Sequence, residues 1–69
     1  MNNRIRQLRE AAGFTQASLA QMAGVSRQAI NALESGKYDP SIWLAYALSK
    51  VFKLPIEDIF IFEEGEASD

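Results

Sequence analysis

The 69-residue sequence contains neither cysteine nor histidine. Without cysteine there is no disulfide staple and no thiolate metal site. Without histidine the commonest metal ligand and the usual neutral-pH general base are both missing. Glycine occurs only four times and proline twice, with no glycine-rich phosphate loop. No apolar run approaches the roughly 20 residues of a membrane span, and the N-terminal residues lack a signal-peptide pattern. Catalysis, a metal, a cofactor, a small-molecule ligand and membrane insertion are therefore not expected. A cytoplasmic location is, since missing cysteine fits a reducing compartment.

What the sequence does contain is apolar surface: 48% of its residues are hydrophobic. That suits one small domain, marginally stable alone. No repeat or linker divides it. The net charge of −2 hides an asymmetry. All seven bases (Arg4, Arg6, Arg9, Arg27, Lys37, Lys50, Lys53) lie within residues 1–53, beside only Glu10, Glu34 and Asp39, a local net of +4. Residues 54–69 hold six acids and no base. Such a split lets one surface attract phosphates while the other end stays acidic. Chance asymmetry in a short chain gives the same tally.

Apolar spacing and capping residues predict five helices. The first covers 4–12, with Asn3 as cap, Ile5, Leu8 and Ala12 on one face, and Gly13 as stop. Thr15 caps a second helix from Gln16, with Leu19, Ala20 and Ala23 inward. Gly24 breaks it, and Ser26 caps a third helix running to about Ser35. Asp39-Pro40 makes a turn, and Ser41 caps a fourth helix over 42–52. Pro55 suits the first turn of a short fifth helix near 56–60. "FIFEE" at 60–64 reads as a candidate short strand. Its partner would be the first residues of the chain or the same segment of a second copy. The domain is set at residues 1–62, and 63–69 as an acidic, frayed tail.

The second and third helices, joined by a short glycine turn, have the form of a helix-turn-helix. Ala20 is small where the third helix crosses closely. Gly24 reverses the chain. Leu19, Val25, Ile30 and Leu33 form the wedge that sets the interhelix angle. With "TQASLA", "GVSRQAI", "LESGKYDPS" and "LPIEDIF", residues 4–60 resemble the phage repressor and Cro family, also called xenobiotic-response-element type. Within it the sequence looks similar to very small single-domain bacterial members. The resemblance implies an all-α, five-helix repressor-like fold, usually dimeric, that binds double-stranded operator DNA.

The third helix is amphipathic by simple geometry. At about 100° per residue, Asn31 lies about 40°, Gln28 about 100° and Ala32 about 140° from Arg27. Ala29, Leu33 and Ile30 fall at about 200°, 240° and 300°. One side packs and the other carries polar heads. Arginine can pair with guanine O6 and N7, glutamine or asparagine with adenine N6 and N7, and alanine can touch a thymine methyl. The family's base-reading positions fall on Arg27, Gln28 and Ala32, with Asn31 beside them. A solvated face is the alternative, but such faces favour Glu and Lys, and this one has neither.

Phosphate contacts are expected at Gln16, which starts the second helix where free N–H groups attract an anion. The resemblance adds Lys37 and Tyr38 in the following loop, helped by the backbone N–H groups of Ser35 and Gly36. Lys37 as an ordinary surface lysine, and Tyr38 as a ring over the Asp39-Pro40 turn, remain open. Arg9 and Glu34 match positions where family members form an ion pair; separate surface charges are the alternative.

The fourth helix carries too much apolar surface for a small monomer. Ile42, Ala45, Leu48 and Phe52 form one stripe, and Trp43, Leu44, Ala47 and Val51 a second. Excess of this kind marks an interface. A two-fold homodimer is the simplest assembly. Following the family's use of its fifth helix, Ile56, Ile59, Phe60 and Phe62 are the expected contacts. Trp43 departs from the family, where a polar residue is common. The leading function is a dimeric regulator, with repression the simplest mode, on a near-palindromic operator. The competing one is an antitoxin-like or adaptor module whose apolar, acidic C-terminal part binds a protein.

Overall fold

The computed structural model describes residues 1–63. It holds α1 (Ile5–Ala11), α2 (Gln16–Ala23), α3 (Arg27–Glu34), α4 (Ile42–Phe52) and α5 (Ile56–Ile59). Hydroxyl side chains start three of them. Thr15 Oγ1 accepts the Ser18 N–H at 3.0 Å, and Ser18 Oγ accepts the Thr15 N–H at 2.9 Å, a reciprocal capping box. Ser26 and Ser41 each accept the N–H three residues on at 3.1 Å, starting α3 and α4. Each cap contributes about 1 kcal/mol.

Two starts differ from the sequence expectation. Arg4, not Asn3, holds the cap position of α1 and makes no side-chain cap bond. Asn3 still helps, since its Oδ1 accepts the Ile5 N–H at 3.1 Å. Pro55 occupies the cap position of α5 rather than its first turn. α4 ends at Lys53, which adopts a left-handed φ of 57°.

The core gathers Ile5, Leu19, Ala20, Ile30, Leu33, Leu44, Ala45, Leu48, Ile59 and Phe60, all buried. Leu8, Phe14, Val25, Val51 and Phe52 pack around it. Ala12 is exposed at the end of α1 rather than on its inner face. On α4 the inward side centres on Leu44, Ala45 and Leu48, flanked by half-buried Val51 and Phe52. Ile42, placed in that stripe by spacing, is 80% exposed. It lies about 120° round the helix from the centre of the buried side, because 3.6 residues per turn carries a three-residue step off line.

Two interface expectations are also corrected. Ile59 and Phe60 are 0% and 1% exposed in the single chain, so neither has surface to offer a second subunit. Ile56 and Phe62 are exposed and line a cleft with Met1, Ile42 and Ala45. The candidate strand reduces, among the described residues, to one antiparallel bridge between Asn3 and Phe60. Arg4 N–H donates to the Ile59 carbonyl at 2.7 Å and Ile61 N–H to that of Asn2 at 2.9 Å. The ladder stops there because the chain enters α1 at Ile5. The first residues are thus the partner of this segment. Of the tail expected at 63–69, residues 64–69 lie outside the described residues.

Candidate nucleic-acid interface

The angle between α2 and α3 is set by the four residues around Gly24. Gly24 sits at φ +75°, a left-handed conformation that strains any residue with a Cβ. The Val25 N–H then donates to the Ala20 carbonyl at 3.0 Å, closing the end of α2. Ala20 is 3% exposed where α3 crosses it, and Ile30 and Leu33 anchor the inner side of α3 at 0%. With that side fixed, the opposite one must face solvent. Arg27, Gln28 and Asn31 are exposed there and together line an open hollow, while Ala32 is half-buried.

A second hollow adjoins the first. Arg6, Arg9, Gln16, Asn31, Glu34 and Ser35 line it, so Asn31 belongs to both. The Arg9–Glu34 pair expected from the resemblance is present. Arg9 Nε donates to Glu34 Oε2 at 2.6 Å and Nη2 to Oε1 at 3.3 Å, with side-chain exposures of 12% and 6%. Arg9 Nη1 also donates to the Phe14 carbonyl at 3.0 Å. The Arg9 pKa is raised, first by the hydrogen bond to Glu34, which outweighs burial, with the charges of Glu34 and Glu10 adding to it. Such a pair holds orientation more than it adds net stability, since desolvation offsets attraction. Here it ties α1 to the end of α3.

Gln16, at the start of α2, donates from Nε2 to Glu34 Oε1 at 3.1 Å. Asn31 Nδ2 lies 3.5 Å from Gln16 Oε1. Sequence spacing did not reveal this contact, although Asn31 and Glu34, three apart on one helix edge, signalled that they are neighbours. Arg6 gains a direction the sequence did not give, towards the second hollow.

The loop after α3 contains fewer free donors than expected. The Ser35 N–H donates to the Asn31 carbonyl and the Gly36 N–H to that of Leu33, both at 3.1 Å. The Ser35 hydroxyl donates to the Ala32 carbonyl at 2.8 Å, and the Tyr38 hydroxyl to that of Ala29 at 3.0 Å. These donors finish the helix end and hold Tyr38 against it, so in the free chain they are already engaged. The Lys37 ammonium is exposed in the same loop.

Among the described residues no cluster of acidic side chains is arranged to hold a metal, and no helix is long and apolar enough to cross a membrane.

The helix-turn-helix family signature matches residues 5–59. An uncharacterised HTH-type transcriptional regulator of Methanocaldococcus jannaschii is 50% identical over 66 residues, covering 96% of this chain and 100% of that one. YgzD, an uncharacterised HTH-type transcriptional regulator of Bacillus subtilis, is 41% identical over 64 residues, covering 93% and 97%. The solved restriction-modification controller protein C.AhdI of Aeromonas hydrophila superposes with a TM-score of 0.73 at 27% identity, over 80% of this chain and 83% of that one. The chain belongs to the Cro/C1-type helix-turn-helix family of DNA-binding transcriptional regulators.

Proposed function

We propose that the protein represses transcription by binding a near-palindromic operator as a homodimer. The observation that carries this is the outer side of α3. Arg27, Gln28 and Asn31 are exposed on a helix whose other side is locked into the core. Arg27, Gln28, Asn31 and Ala32 read bases in the major groove, where the N-terminal part of such a helix is presented. Gln16 and Lys37 contact phosphates and fix the register without reading sequence. Occupying the operator blocks polymerase.

Exposed Ile56 and Phe62, beside the cleft they share with Ile42, are the surface offered to the second copy. A two-fold axis there sets two recognition helices about 34 Å apart, one turn of DNA. Selection of sites from random double-stranded DNA, followed by salt titration, tests this reading. A two-fold-symmetric motif and an affinity falling steeply with salt are expected. Selection of no motif would refute it.

A second reading has its own observation. Ile42, Trp43 and Tyr46 are 80%, 77% and 54% exposed on the outer side of α4. Trp43 meets Tyr46 edge-on at 6.3 Å, and the Lys50 ammonium lies 5.4 Å from the centre of the Tyr46 ring. An exposed aromatic pair of this kind favours a protein partner on that side. A partner that binds a Trp43→Ala, Tyr46→Ala variant as well as the unsubstituted chain would exclude it.

A further inference from the structure

Asn31 stands where the two hollows meet, and the direction of its amide is set by an ion pair two side chains away. A carboxylate can only accept hydrogen bonds. Glu34 accepts from Arg9 Nε at 2.6 Å, from Arg9 Nη2 at 3.3 Å and from Gln16 Nε2 at 3.1 Å. Gln16 must therefore turn its NH2 towards Glu34 and its Oε1 away. That oxygen also only accepts, so Asn31 must face it with Nδ2, at 3.5 Å. The distance is the outer limit of a hydrogen bond. Polarity rather than strength fixes the direction: the reversed Asn31 amide would set two acceptor oxygens face to face.

We infer that this relay makes Asn31 a selector of adenine, with Gln16 as its positioning residue and Glu34 as the anchor. The inference rests on the base-reading role proposed for α3. With one Nδ2 hydrogen turned to Gln16, the outward edge of Asn31 presents Oδ1 and the other Nδ2 hydrogen side by side. Adenine offers the complement in the major groove, a donor at N6 and an acceptor at N7. Guanine offers two acceptors, so Oδ1 would meet O6. An unanchored asparagine can swing its NH2 towards both guanine acceptors. The anchored one cannot, and it rejects guanine for that reason.

The probe is random-sequence double-stranded DNA, selected with the full chain, after which the chosen site is remade with each base pair at each position. Adenine is expected at one position per half-site, and Asn31→Ala should erase that preference alone. Gln16→Met keeps the side-chain length and removes the polar head. It should lower the adenine-to-guanine affinity ratio at the Asn31 position about tenfold, the scale of one bidentate contact. Other positions should keep their order of preference while affinity falls uniformly with the lost phosphate contact. Equal weakening of all four bases at the Asn31 position would overturn the relay and leave base reading intact. Erasure by Asn31→Ala of a preference other than adenine would also overturn it. Selection of no sequence at all would refute base reading itself, which separates the two failures.

Thermal unfolding checks that Gln16→Met folds. If it does not, NMR of the unsubstituted chain decides. Gln16 side-chain amide protons in contact with Glu34 protons support the relay, and contact with the Asn31 β protons instead reverses its polarity and overturns it.

Discussion

Replacing Glu34 with leucine is expected to cost about 3 kcal/mol of folding stability, the lower end of the range for breaking a buried ion pair. The magnitude follows from what the carboxylate holds. It is 6% exposed and accepts three hydrogen bonds, two from Arg9 and one from Gln16. Removing it strands a guanidinium that is itself only 12% exposed and keeps one bond, to the Phe14 carbonyl. Arg9→Met should cost a similar amount by stranding the carboxylate. The double variant, with two apolar side chains packed together, should return to within about 1 kcal/mol of the parent. A domain of this size has roughly 3–10 kcal/mol in total, so the single variants sit near the edge of folding. Urea titrations in a constant concentration of a stabilising osmolyte bring them into range. Far-ultraviolet circular dichroism is the signal to follow, because Trp43 is 77% exposed and a poor fluorescence reporter. Losses that simply add in the double variant would refute the coupling. If the relay operates as inferred, this same double variant keeps its stability yet loses adenine selectivity, because Gln16 has no anchor.

Phe60→Ala should cost about 3–5 kcal/mol at every protein concentration, because Phe60 is core. Phe62→Ala should change monomer stability by at most about 0.5 kcal/mol while weakening self-association in sedimentation equilibrium; the opposite pattern would restore Phe60 to the interface. Arg27→Ala should weaken operator binding by roughly 1–3 kcal/mol and relax choice at one base, whereas equal loss across sequences would make Arg27 a phosphate contact. Lys37→Ala should weaken all sequences alike and reduce the salt slope by about 1. Lys53→Gly relieves a left-handed backbone costing about 1–2 kcal/mol against about 0.5–1 kcal/mol of added chain entropy. A melting point roughly 3–6 °C higher is expected, and a lower one would contradict the strain.

The helices were legible because their signals are local. Thr15, Ser26 and Ser41 cap where their spacing to the apolar faces places them, and Gly24 turns the chain where only a residue without a Cβ does so freely. The polar edge of α3 was equally legible, since Ile30 and Leu33 centre on the side opposite Gln28 on any helix, with Arg27 and Asn31 to one side of Gln28. Where the sequence misled, two helix sides were nearly equal in apolar content. In α4, spacing put Ile42 and Leu44 on two separate apolar stripes without ranking them, and the chain buries Leu44 and exposes Ile42. In the C-terminal segment, Ile59 and Phe60 look as free as Ile56 and Phe62 until the backbone pairs with Asn2 and Arg4 and draws them in.

The amino-acid order by itself determined the five helices of the described residues, the hydroxyl caps of three of them, the glycine turn and the class of residue on the recognition helix, because each depends on side chains a few positions apart. Only the tertiary structure decided which apolar residues are spent on the core and which backbone donors of the loop after α3 are already used. It also decided that Arg9, Glu34, Gln16 and Asn31 form one line of hydrogen bonds. Those four come from three helices, and no local rule of spacing fixes the direction of an amide whose partner lies on another helix.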